Sequence, residues 1–360
     1  MSTPEFWRGR RVFLTGHTGF KGGWLSLWLQ HLGADVTGFS LPPNTTPSLF
    51  EAGDVAKGMT SIFGDIRDRV ALDAAMRACA PEIVLHLAAQ PLVRRSYADP
   101  TETYATNVLG LVNLFESVRA QEGVRAVVNV TSDKCYENRE WLWGYRETDP
   151  MGGFDPYSSS KGCAELVTSA YQRSFFHESQ SGPSTFLASA RAGNVIGGGD
   201  WAEDRLIPDI IRALSARKTL QIRRPGAVRP WQHVLEPLSG YLLLAQRLVE
   251  DGATFAQGWN FGPDVADERP VQWIVDQMTG MWGEPTRWAL DDDAGPHEAG
   301  LLKLDCSKAR AILKWTPRWS LARALEETVA WHTAAIRGEE MRKVTLAQID
   351  GFVQMGNGNA

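Results

Sequence analysis

Along the first half of the chain, apolar runs of strand length recur at 11–16, 35–40, 60–65, 82–89, 126–132 and 185–194, separated by segments with helical spacing. The runs are apolar at consecutive rather than alternate positions, as expected of strands covered on both faces. Their alternation with helices predicts βαβ units and a doubly wound parallel α/β sheet. Between the first two runs, Trp24, Leu27, Trp28 and Leu32 share one helical stripe, which Gly33 ends.

After Asn194 the alternation weakens and the chain becomes rich in Gly, Pro, Arg and Trp. Helices are predicted around 206–216 and 270–282, then a short one at 307–313. A longer amphipathic helix over 319–336 has Ser320 as its N-cap. This reads as a smaller second lobe. The division expected is 1–194 plus about 229–262 for the sheet domain, and about 195–228 plus 263–348 for the lobe. The last dozen residues are expected to fray.

The 360 residues, 43% of them hydrophobic, exceed the size at which single cores stop growing, which fits two intimate units. A net charge of -5 without a basic block argues against nucleic-acid or membrane-surface partners and leaves a small molecule. The N-terminus carries charges where an export signal needs an apolar core. No uncharged apolar run is long enough to span a membrane. Cys79, Cys135, Cys163 and Cys306 lie far apart in no metal-ligand or disulfide pattern, so a reducing cytoplasm and no metal site are expected.

Three segments carry chemistry. Directly after the first apolar run, Gly16, Gly19 and Gly22 stand three apart and lead into a helix, a turn through which a backbone approaches a pyrophosphate. Tyr157 and Lys161, four apart, share a helix face. An ammonium there favours a phenolate that takes a proton from a hydroxyl, while the same Lys can bond a ribose. An exposed helix pair is the plain alternative. Finally, 131–136 reads TSDKCY at the end of a strand, where ligands sit on open α/β sheets. Ser132 can orient a sugar hydroxyl and Asp133 can act as an acid. Lys134 can act as a base if its pKa is lowered, or stabilise an enolate as a cation. An Asp133–Lys134 ion pair in a loop is the competing reading.

These segments, with GDIRD at 64–68, HLAAQ at 86–90 and Asn107 in TNVLG, resemble the extended short-chain dehydrogenase/reductase family over most of the chain. Within it, 141–167, 191–201 and 304–315 resemble the branch that dehydrates CDP-glucose. The resemblance implies a Rossmann-type sheet with a C-terminal nucleotide-sugar lobe, NAD as cofactor, and loss of water from CDP-glucose in deoxysugar and surface-polysaccharide synthesis. It places NAD on Gly16, Thr18, Gly19, Phe20, Lys21 and Gly22. Asp65 and Ile66 would lie near the adenine, with Leu87, Ala88, Ala89, Gln90, Asn107, Tyr157 and Lys161 further along. Ser40, where NAD enzymes often carry a carboxylate, and Lys21 leave a 2′-phosphate open.

Relatives carry Thr-Asp-Glu where this chain has Ser132-Asp133-Lys134, which opens the identity of the base. Asn194, Arg205 and Arg229 are implied contacts of the substrate's diphosphate or sugar, and His17, His86 and His233 are expected to pack. The resemblance also implies a homodimer or homotetramer through the Tyr157 helix and the one before it, with Ser159, Gly162 and Ala164 allowing close approach. A nucleotide-sugar epimerase, a dehydratase for another nucleotide, and a regulator without turnover are the rivals.

Overall fold

The computed structural model describes residues 2–177, 184–283, 288–291 and 300–357. Its main sheet consists, in chain order, of β1 (Arg11–Thr15), β2 (Asp35–Ser40), β3 (Thr60–Phe63), β4 (Ile83–His86), β5 (Ala126–Val130), β6 (Phe186–Ala192) and β7 (Gly258–Phe261). All are parallel, in the order β7-β6-β5-β4-β1-β2-β3. The reversal between β1 and β4 creates the crevice in which such sheets bind ligands. β5 and β6 are buried at every position, so continuous apolar runs are what their place between two helical layers demands.

The helices used below are α1 (Phe20–His31), α2 (Arg69–Cys79), α3 (Gly110–Arg119), α4 (Pro156–Ser174), α5 (Leu206–Ala216), α6 (Leu235–Asp251), α7 (Val271–Trp282), α8 (Leu321–Ile336) and α9 (Met341–Asn357). One face of the sheet buries Trp24, Leu25 and Trp28 of α1 with Leu238, Tyr241 and Leu242 of α6. The other packs Leu72 and Met76 of α2 with Leu111, Leu114 and Phe115 of α3. A separate cluster joins α5, α7 and α8 through Ile210, Ile274, Met278 and Leu325.

Two features depart from expectation. The strand β7 emerges from a Gly-Trp-Asn-Phe segment whose Trp259 and Phe261 are fully buried at the sheet edge. The C-terminal segment expected to fray is helical through Asn357, because α9 returns to the sheet domain. There Phe352 meets Trp28 edge-on at 5.8 Å and Asp350 pairs with His31 at 2.7 Å. Among the described residues, no helix is long and apolar enough to cross a membrane.

Candidate active site

The carboxyl ends of β1, β4, β5 and β6 open onto a cleft of about 580 Å³, which Asp200, Arg205, Ile222 and Arg229 also line. All the site residues selected from the sequence line it except Asn107. Asn107 is a buried staple instead. Its Oδ1 accepts from the Gln90 amide at 2.8 Å, and its Nδ2 donates to the Gln90 carbonyl at 3.1 Å and to Ser160 Oγ at 2.9 Å. The β4 loop and α4 are thereby one hydrogen-bonded unit.

The glycine turn exposes bare backbone for a physical reason. Gly16 has φ +79°, and a Cβ on it would lie 2.7 Å from the Ala88 nitrogen; one on Gly22 would lie 2.0 Å from the Gly16 carbonyl oxygen. Gly19 is the N-cap of α1, and no side chain caps the helix. A close backbone and an open helix N-terminus fit a dinucleotide diphosphate. Thr18 Oγ1 reaches Ser40 Oγ at 2.9 Å and the Leu41 carbonyl at 2.8 Å, so hydroxyls rather than a carboxylate close the end of β2. Asp65 is held by Arg67, whose side-chain hydrogen bonds keep the carboxyl below its ordinary range against the effect of burial.

Lys21 lines the same cleft as Ser40. Burial first, then Arg205 and Lys161, lower its pKa to about 7 against the charges of Asp133 and Asp200.

At the end of β5, Ser132 Oγ donates to Asp133 Oδ1 at 2.9 Å and accepts the Lys134 amide at 3.2 Å. Asp133 is 2% exposed and its Oδ2 has no partner. A Cβ on Gly193 would sit 2.0 Å from that oxygen, so glycine at 193 is what leaves the carboxylate its room. Asp133 and Lys134 form no ion pair with each other among the described residues, and the Lys134 side chain borders the cleft.

Tyr157 and Lys161 sit on the first turns of α4, opened by Pro156 and capped by Asp155, whose carboxylate accepts from Ser158 N at 2.9 Å. Burial raises Tyr157 to about 12, opposed by a hydrogen bond with Ser132 and by the charge of Arg205. The charge of Arg205 thus favours the phenolate. Lys161 Nζ turns to the Val130 carbonyl at 3.4 Å, and burial lowers its pKa to about 8 despite Glu165 and Cys135.

Arg205 is itself fixed by Asp200 at 2.8 Å, while Arg229 donates to the carbonyls of Val228 at 3.0 Å and Gly300 at 3.1 Å. Asn194 uses its carbonyl to accept Gln232 N at 3.2 Å. His17, His86 and His233 are held neutral by burial, at about 4, 3 and 3.

Sequence reasoning missed the support beneath the site. Glu165, one helical turn beyond Lys161, accepts from Thr131 Oγ1, from Ser189 Oγ at 2.7 Å and from Arg191 Nη2 at 2.7 Å. Arg191 also reaches Tyr136 Oη at 2.7 Å. A lone Arg inside the apolar run of β6 was the available signal, since a buried charge requires a partner.

A glycine turn after β1, a Tyr-x-x-x-Lys helix beside the end of β5 and a lobe facing both define the site of an extended short-chain dehydrogenase/reductase. The chain belongs to the GDP-mannose 4,6 dehydratase family, whose model matches residues 13–328. It is 56% identical to CDP-glucose 4,6-dehydratase of Salmonella typhimurium over 98% of this chain and 99% of that one. Its fold is shared by UDP-glucose 4-epimerase of Thermus thermophilus, in complex with NAD (TM-score 0.78, 23% identity, 90% and 99% covered). It is shared equally by DesIV, a dTDP-glucose 4,6-dehydratase of Streptomyces venezuelae with NAD and TYD bound (0.77, 23%, 92% and 99%).

Proposed function

We propose that the protein is a CDP-glucose 4,6-dehydratase that converts CDP-D-glucose to CDP-4-keto-6-deoxy-D-glucose with NAD regenerated in each cycle. The observation that carries an elimination is Asp133, a buried carboxyl group beside Tyr157 and Ser132 with one oxygen unpartnered. An epimerase needs no such acid. The choice of nucleotide rests on the 56% identity over nearly the whole of both chains.

NAD, bound along Gly16 to Gly22 and the Leu87–Gln90 loop, would accept two electrons and a proton from C4 and return them at C6. Tyr157 takes the proton of the C4 hydroxyl, with Ser132 orienting that oxygen. The resulting 4-ketone acidifies C5, whose proton goes to Lys134 and later returns. Asp133 gives a proton to the C6 hydroxyl, which leaves as water. Lys161 holds the cofactor ribose. Arg205 stands near the sugar, fixed by Asp200, and Asn194 and Arg229 receive the diphosphate.

The reading includes two lobes that divide near Asn194, a cytoplasmic setting and a role in supplying deoxysugars to surface polysaccharide. It also includes a homodimer or homotetramer through α3 and α4. Support for that contact comes from Leu109 and Leu166, each 62% exposed. Of the three small residues, Gly162 and Ala164 are buried within the chain and Ser159 is half-buried.

The test is incubation with NAD and, separately, CDP-, dTDP-, UDP- and GDP-glucose, following product mass. Loss of one water from CDP-glucose alone without net NADH is expected. An unchanged mass with a rearranged sugar would mean an epimerase.

A further inference from the structure

We propose that Arg94 and Asp204 form a clasp across the rim of the cleft, which keeps the reduced cofactor and the oxidised sugar in the site until the hydride has been returned. This rests on the dehydration proposed above and assigns a task to two residues outside the catalytic set.

A cofactor regenerated within each cycle creates the need. The hydrogen and electron pair of the C4–H bond go to the nicotinamide and the C4 hydroxyl proton to Tyr157, leaving a 4-ketone. Until water has left C5 and C6 and the hydrogen and electron pair have reached C6, the cofactor is reduced and the sugar oxidised. Parting at that stage ends the cycle, with free NADH and a stranded keto sugar. Closure that outlasts the intermediates prevents this side reaction.

The geometry supplies the closure. Arg94 Nη1 lies 3.6 Å from Asp204 Oδ1. The two come from different segments: Arg94 from the helix Val93–Ala98 that follows β4, and Asp204 from the loop between the strand Val195–Ile196 and α5. Both line the cleft. Their side chains are 32% and 43% exposed, whereas Ser132, Asp133, Tyr157 and Lys161 of the same cleft are buried. The pair therefore lies at the solvent edge, and joins the wall beside the Leu87–Gln90 loop to the wall that carries Arg205.

Each root of the clasp is fixed. Beside Arg94, Leu92 N donates to Gln90 Oε1 at 2.7 Å and Arg95 donates to Glu102 at 2.8 Å. On the other side, Trp24 Nε1 donates to the Gly198 carbonyl at 2.8 Å, Trp201 meets Trp331 edge-on at 5.5 Å, and Arg212 Nη1 donates to the Trp201 carbonyl at 3.1 Å. Asp204 stands at φ +58°, a left-handed turn that Asp tolerates better than most residues. Opening then needs only this turn and two side chains to move. An ion pair so exposed holds weakly, which suits a contact that must break once per turnover.

The experiment uses the full chain with NAD and CDP-glucose, and begins with wild-type product mass. No water loss there overturns the dehydratase reading itself. Given wild-type turnover, two quantities are read in each variant: the dissociation rate of NAD, by chase, and the NADH set free per water lost. Arg94→Met and Asp204→Asn are each expected to raise both about 1.5- to 5-fold, and the double variant no more than either. The charge exchange, Arg94→Asp with Asp204→Arg, should return both towards wild type. Between about 0.01 and 1 M salt, the ratio of the double variant to wild type should shrink towards one. Single variants with native circular dichroism and unchanged release, effects that multiply in the double variant, or a charge exchange that restores nothing overturn the clasp.

Discussion

Replacing Arg191 by Met tests the support beneath the site. The guanidinium and Glu165 are 6% and 4% exposed and 2.7 Å apart. Arg191 also donates to Tyr136 Oη at 2.7 Å and to the Glu147 carbonyl at 3.1 Å. Removing one member of a buried pair strands the other charge, at a cost of about 3–5 kcal/mol. Thr131 and Ser189 still donate to the stranded carboxylate, which places the expectation near the lower bound. The assay is urea unfolding of wild type, Arg191→Met, Glu165→Leu and the double variant, read as midpoint shifts at constant slope.

The double variant should recover most of the loss, because it leaves no orphaned charge. The pH dependence has a definite sign. Burial pushes Glu165 up, but Arg191 and three hydrogen bonds hold it below its ordinary range. Its contribution is therefore present above the ordinary carboxylate pKa and is lost as pH falls through the lower folded value, so the gap between wild type and Arg191→Met should narrow in acid. A single variant that loses under about 1 kcal/mol, or a double variant no better than the single, would refute the reasoning.

Three further outcomes follow from the same geometry. Asp133→Asn should leave C4 oxidation visible in cofactor absorbance while slowing water loss about 100-fold or more; equal falls in both steps would take the acid role from Asp133. Lys134→Ala should abolish exchange of the C5 proton with deuterated solvent, and full retained exchange would move the base elsewhere. Glu236, raised to about 7 by burial against amides of Trp319 and Arg318, favours the fold when protonated. That stability is present below the ordinary carboxylate pKa and lost as pH rises through about 7, so wild type should lose about 4 °C more in Tm between pH 5 and 8 than Glu236→Gln.

The parts of the site that were legible in the sequence are those whose chemistry is local. Gly16 to Gly22, Ser132 to Lys134, and Tyr157 with Lys161 each lie within a few residues, at spacings set by a turn or one helical repeat. Strands β4, β5 and β6 were legible because burial at every position forces continuous apolar runs. What stayed hidden depends on segments meeting at a distance. Arg191 and Glu165 are partners across 26 positions. Arg205 looked like a free phosphate ligand until Asp200 was seen to hold it at 2.8 Å. Lys21 belonged by motif to the cofactor turn, yet its charge environment is the catalytic cluster. Strand β7 carries Gly258 and the polar Asn260 beside Trp259 and Phe261, so it presents no continuous apolar run.

The vacancy at Gly193 constrains how this site can evolve. Its missing side chain and the carboxylate of Asp133 compete for one volume, so neither position drifts independently. A lineage that filled position 193 first would turn its acid out of line, and one that lost the acid first would carry a hole open to any small side chain. Once position 193 is filled, regaining the acid requires glycine there first, because a Cβ would lie 2.0 Å from the carboxylate oxygen.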